Sequence, residues 1–143
     1  MKELIANIYK QAKQLNACDK FTGNEKTLED IANLFKSTQG VEFCLKNHFP
    51  STTTLRMFKQ YDTAKYDIYI DAGNITLNNP RKAIIIGHTT ATINCSGVKE
   101  RHEIVAMRGA KVIVNARDWA VVFCKGDSGC SWIKNTSSNA IIL

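Results

Sequence analysis

The sequence predicts an α+β protein in which short N-terminal helices pack on a short parallel β-helix, a β-solenoid of about four coils. Three observations predict it. Apolar residues recur at helical spacing over the first sixty or so residues and crowd into β-branched runs after Tyr66. One five-residue strand pattern returns five times between Tyr66 and Leu143. Asparagine recurs behind it at Asn74, Asn94, Asn115 and Asn135, in steps of 20, 21 and 20 residues.

The helices come first. Leu4, Ile8, Ala12 and Leu15 form one apolar stripe, which predicts a helix ending near Asn16. Gly23 and Asn24 break the chain. Thr27, with Asp30 three residues on, reads as an N-cap with an acidic N3, and Leu28, Ile31, Leu34 and Phe35 supply the next stripe. Gly40 reads as a second break, followed by a short helix through Val41, Cys44, Leu45 and His48 that Phe49-Pro50 closes. Ser51 is placed to cap a last turn or two carrying Leu55 and Phe58. None of these helices is long enough to stand alone.

The five strand copies are YDIYI at 66, KAIII at 82, HEIVA at 102, WAVVF at 119 and NAIIL at 139, in steps of 16, 20, 17 and 20 residues. Each copy but the last is followed by a second apolar piece: NITL, ATIN, VIVN and SWIKN. Self-similarity of this period in β-rich units is the mark of a solenoid, where like residues stack in columns. A β-sandwich would call for Asn-Gly or Asp-Gly hairpins, and the sequence has neither dipeptide. Strand alternation then sets the third and fifth positions of each copy inward. The fourth positions, Tyr69, Ile85, Val105, Val122 and Ile142, are set outward. So apolar an outward column needs a cover, and the N-terminal helices are the expected one. Residues 1–65 are thus expected to form a helical cap or cover and residues 66–143 the β-helix, the two folding as one cooperative unit. Ile141, Ile142 and Leu143 close the stack as an incomplete rung, for which a dimer or a partner is the expected cap.

Composition narrows the function classes. Hydrophobic content of 44% and charged content of 22% describe a globular chain rather than a disordered one. The longest apolar runs are far too short to span a bilayer. The N-terminal MKELIANIYKQAKQL is too often interrupted by polar residues for a signal peptide, so the expected address is cytoplasmic with no membrane partner. Cys18, Cys44, Cys95, Cys124 and Cys130 are odd in number and irregularly spaced, which predicts reduced, mostly buried thiols. The net charge of +6 divides evenly between the two halves, with no basic block.

Chemistry is thinly represented. His48, His88 and His102 stand far apart, and no zinc-type spacing of histidine or cysteine occurs. No metal, cofactor or catalytic residue is therefore expected. Cys95 with His88 would be a nucleophile and base with nothing to orient the base, and Asp118 with Asp127 would be an acidic pair flanking WAVVF. The GDSG segment at 126–129 resembles the nucleophile segment of chymotrypsin-like proteases over four residues only, and the glycines make it a turn. Trp119 and Trp132 read as packing residues at strand positions. Lys99, Arg101, His102 and Arg108 are the candidates for a small basic patch, the best nucleic-acid contact the sequence offers.

The segments ACDKFTG, VEFCLKNHFPS, YDIYIDAGNITLNNP and WAVVFCKGDS resemble a group of small bacterial proteins from gut commensals and their mobile elements, with a helical front and a β-rich back. The resemblance implies a cytoplasmic accessory protein and assigns no activity or site residue. The functional expectation is a non-enzymatic protein–protein interaction module or accessory regulator. Its partner would be another protein or a second copy meeting it through the C-terminal coil. The alternatives are weak nucleic-acid association and a small hydrolase built on a Cys/His or acidic pair.

Overall fold

The computed structural model describes residues 1–15 and 23–143, so Cys18 lies outside the described residues. The chain divides into two compact units, Met1–Tyr66 and Asp67–Leu143.

The first unit is helical. Helix α1 (Lys2–Gln14) buries Leu4, Ile5, Ile8 and Ala12. Helix α2 (Leu28–Lys36) starts at a full capping box: the Thr27 hydroxyl accepts from the Asp30 N–H, and the Asp30 carboxylate accepts from the Thr27 N–H, both at 3.1 Å. Helix α3 (Thr38–Asn47) begins two residues earlier than Gly40 would set it, because Ser37 is its cap. The Gly40 N–H donates to the Ser37 hydroxyl at 3.0 Å. Glycine is required there for space, since a Cβ would overlap the Leu34 carbonyl oxygen. His48 ends α3 in a left-handed conformation, and Ser51 caps α4 (Thr52–Met57). The Gln11 side chain ties α1 to α4 by donating to the Thr54 hydroxyl at 3.0 Å. Two short 3₁₀ turns, Phe58–Gln60 and Thr63–Tyr66, complete the unit.

The second unit is a parallel β-solenoid of about four turns built from nine strands: β1 (Ile68–Ile70), β2 (Gly73–Asn78), β3 (Lys82–Ile86), β4 (Thr89–Ser96), β5 (Arg101–Met107), β6 (Lys111–Arg117), β7 (Val121–Gly126), β8 (Ser131–Thr136) and β9 (Ile141–Ile142). Odd strands stack as one parallel sheet in the order β1-β3-β5-β7-β9, and even strands as a second, β2-β4-β6-β8. Both sheets step by the same coil lengths. Ile68 pairs with Ile84, a step of 16, as does Asn78 with Asn94; Ile84 pairs with Val105 and Asn94 with Asn115, steps of 21. Ile104 with Cys124, and Asn115 with Asn135, are steps of 20.

These registers correct two expectations. The asparagine column opens at Asn78, because the first coil is short; Asn74 pairs with Thr90 instead. The sidedness of the first sheet is reversed for most of its rungs. Ile85, Val122, Tyr69 and Ile142, expected outward, belong to the solenoid core with Ala83, Ile104, Ala106, Ile93 and Val114. Ile84, Ile86, Val105 and Met107, on the opposite face of β3 and β5, are buried as well. With both faces buried, apolar residues run continuously and alternation vanishes from the sequence.

Corners are set by carboxylates and amides. The Asp71 carboxylate accepts from the His88 N–H at 2.8 Å, and the Asn79 side chain accepts from the Ser96 N–H at 2.8 Å. Asp118 and Trp119 make a turn with both residues left-handed (φ 52° and 67°), as do Ser138 and Asn139 one coil later (φ 49° and 63°). Trp119 therefore lies in a turn and is 61% exposed, not packed at a strand position.

Candidate functional site

The last coil is where the repeat changes character. Along β4 and β6 burial alternates, with Ala91, Ile93 and Cys95, then Val112, Val114 and Ala116, pointing into the core. The register carries these columns onto β8 as Val112–Trp132, Val114–Lys134 and Ala116–Thr136. The column Leu77–Ile93–Val114 thus ends on a lysine, and Ala116 is followed by a threonine. Of the three β8 positions only Trp132 continues the apolar interior, and it needs a small neighbour. The column Ile85–Ala106–Gly126 shrinks to make that space, since a Cβ on Gly126 would come within 3.1 Å of the Trp132 ring. The Lys134 ammonium sits 5.6 Å from the centre of the same ring.

The edge beyond β8 and β9 is open among the described residues, for β8 pairs only with β6 and β9 only with β7. The Ser131 N–H donates to Ala110, and those of Ile141 and Leu143 donate to Ala120 and Val122, all toward the preceding coil. Strand alternation therefore turns the N–H and C=O groups of Trp132, Lys134, Thr136 and Ile142 toward the open edge. Trp132 and Ile142 are half-buried there, with Ile133 and Ile141 more than half exposed beside them. Backbone donors and acceptors next to apolar side chains form a template for another strand.

A groove of ≈ 420 Å³ opens on the outer face of the second sheet, lined by Asn78, Asn94, Asn115, Asn135, Arg117, Thr136 and other residues. Its floor is an asparagine ladder. Each Nδ2 donates to the Oδ1 of the preceding coil: Asn94 to Asn78 at 3.2 Å, Asn115 to Asn94 at 3.1 Å, Asn135 to Asn115 at 2.9 Å. The ladder has a direction, so Asn135 presents an acceptor at the open end.

At the opposite corner the last coil is pinned by Asp127 of the GDSG segment. Its carboxylate accepts from the Arg108 N–H at 2.9 Å, from the Arg108 guanidinium at 3.2 Å and from the Cys130 thiol at 3.2 Å. Burial alone would raise this carboxyl, but the Arg108 N–H, the Cys130 thiol and the Arg108 charge together hold it below its ordinary value. The segment is a corner turn.

The basic candidates do not form one surface. Lys99 and Arg101 are exposed, and the Arg101 guanidinium stacks 3.9 Å from the centre of the Phe123 ring. His102 is buried, with Nδ1 2.7 Å from the Pro80 carbonyl oxygen; a carbonyl only accepts, so Nδ1 bears the proton. Arg108 lies at the far end of β5, its side chain 10% exposed and ion-paired with Asp127.

The hydrolase candidates are likewise dispersed. His88 is exposed at the corner before β4, whereas Cys95 is buried near the far end of that strand. Burial, with Cys124 adding to it, pushes the Cys95 thiol up to about 11, the opposite of what a nucleophile needs. Cys130 is pushed up to about 11 by burial and by Asp127, and the four described cysteines are free thiols. Asp118 is exposed beside Arg117, whereas Asp127 is held by Arg108. Among the described residues no cluster of three or more His, Cys, Asp or Glu could hold a metal, and no helix is long and apolar enough to cross a membrane.

The sequence carried a signal for the edge that spacing alone did not use: SWIKN is the one second-strand segment with a cation at an interior position. Fold and edge together define a helix-plus-solenoid protein whose last coil leaves one side of β8 and β9 unpaired among the described residues. No family model matches the chain, and neither does any curated protein or solved structure.

Proposed function

We propose that this chain is a non-enzymatic interaction module that engages a partner protein through its last coil. The open edge of β8 and β9 supports the reading, because it offers unpaired backbone groups beside Trp132, Ile133, Ile141 and Ile142 on a rigid stack. In the cell the module acts as a cytoplasmic accessory protein of the small bacterial group its sequence resembles.

The test is a tagged capture from bacterial lysate, with and without nuclease, comparing the native chain with Thr136→Pro. Proline at 136 removes an N–H that points away from β6, leaving the β6–β8 ladder in place. The expected result is a protein that survives nuclease and is lost with Thr136→Pro, at an unchanged melting temperature. Capture that ignores the proline, or that vanishes with nuclease, overturns the reading.

A further inference from the structure

The open edge is selective. Among the described residues no acidic side chain pairs with Lys125 or Lys134. Asp127 is the only acid between residues 119 and 143, and Arg108 takes it. The cation at 134 stands at an interior column position, where any strand added to β8 would enclose it. Lys134 is exposed, and its ammonium lies 5.6 Å from the centre of the Trp132 ring, close enough for its charge to pull against the rise that burial gives the Cys124 thiol.

A second copy of this chain is the obvious occupant, and the charges reject it. Stacked head to tail in the existing register, β2 of the next copy would set Leu77 against Lys134, the pairing that Ile93 and Val114 make with their own neighbours. Met edge to edge across a two-fold axis, each last coil would enclose its own Lys134, and Asp127, the only acid from residue 119 to 143, is already taken by Arg108. Either arrangement encloses a cation without a counter-charge. An inward-pointing lysine is how edge strands resist self-pairing.

We propose that the last coil takes a parallel β-strand from another protein, bearing an aspartate or glutamate opposite Lys134. This inference rests on the interaction-module reading and adds the chemistry of the partner. The remaining positions follow from the columns. The residue opposite Trp132 faces the core and is apolar. The residue opposite Ile133 lies on the outer face, where Thr92 and Ile113 precede it, and is β-branched. Opposite Asn135, an asparagine donates to the waiting Oδ1 and continues the ladder. The recognised segment reads apolar, β-branched, acidic, asparagine, in that order along the chain.

The experiment uses the full chain with Trp119→Phe, so that Trp132 alone reports. Two synthetic peptides are compared, both built around Val-Ile-X-Asn, one with X as Glu and one with X as Lys. The Glu peptide is expected to shift Trp132 emission to shorter wavelength and to bind at least tenfold tighter than the Lys peptide, with Lys134→Glu reversing the order. Equal binding, no binding, or an order unchanged by Lys134→Glu overturns the proposal. So does a native chain that sediments as a dimer. If the lysate partner is lost with Thr136→Pro yet the peptide order ignores residue 134, the module stands and the charge rule alone falls.

Discussion

The middle coils and the last coil are made from the same repeat, and they end differently. In the middle coils the second-sheet columns are Ile93 on Val114, Ala91 on Val112 and Cys95 on Ala116, each side chain at most 2% exposed. In the last coil the same columns hold Lys134, Trp132 and Thr136. Hydrogen bonding does not change across that boundary, since the backbone ladder and the asparagine ladder both run on through β8. What changes is the interior. A parallel stack propagates its pairing wherever the backbone can, so only side chains can tell it where to stop. In this solenoid the apolar column Leu77–Ile93–Val114 carries a cation on its last rung.

Ile93→Ala is the largest test of this contrast. The side chain is fully buried and flanked by interior residues on both neighbouring strands, so truncation leaves a cavity that rigid ladders cannot collapse. The expected loss is about 2–5 kcal/mol, read as a lower midpoint in urea. A loss no greater than that of a last-coil substitution would mean that the middle coils are not the stability centre.

Asp127→Asn tests how the last coil is anchored. Loss of the charge-assisted bonds to Arg108 is expected to cost about 1.5–3 kcal/mol. The folded carboxyl lies below its ordinary value of about 3.9, so its contribution is complete above that value and is lost as pH falls through the folded one. Unfolding midpoints measured from neutral pH down to about pH 2 should fall more steeply for the native chain than for Asp127→Asn. Parallel curves would assign the acid sensitivity elsewhere.

Much of this fold could be read directly from the residues. The Thr27–Asp30 capping box, the Ser51 cap and all nine strands follow from local chemistry, because caps and β-branched runs act over a few residues. Sidedness followed only where one face is wet. The pattern of β4 alternates without exception, and its core residues are evident. In β3 and β5 both faces are buried, and nothing in KAIII or HEIVA says which side of Ile85 is inside. The pairing of Glu103 with Lys82, an ion pair at 3.1 Å, fixes that register across the two strands. The candidate site was less legible still. Lys134 looks like ordinary surface until Val114 is found beneath it.

Lys134→Ala is the smallest expected effect and the most informative, because it lies one step beyond Val114 and two beyond Ile93 in the same column. A lysine at an exposed end gives up little packing, so its removal should change stability by no more than about 0.5 kcal/mol. The association state should move instead. Without the cation, the open edge keeps its backbone donors and acceptors and loses its only interior charge, so higher species should grow with concentration in sedimentation. If Lys134→Ala stays monomeric at every concentration, the lysine is not what stops the stack. The block would then lie with the Thr136 hydroxyl or the bulk of Trp132, and Thr136→Val would be the variant that assembles.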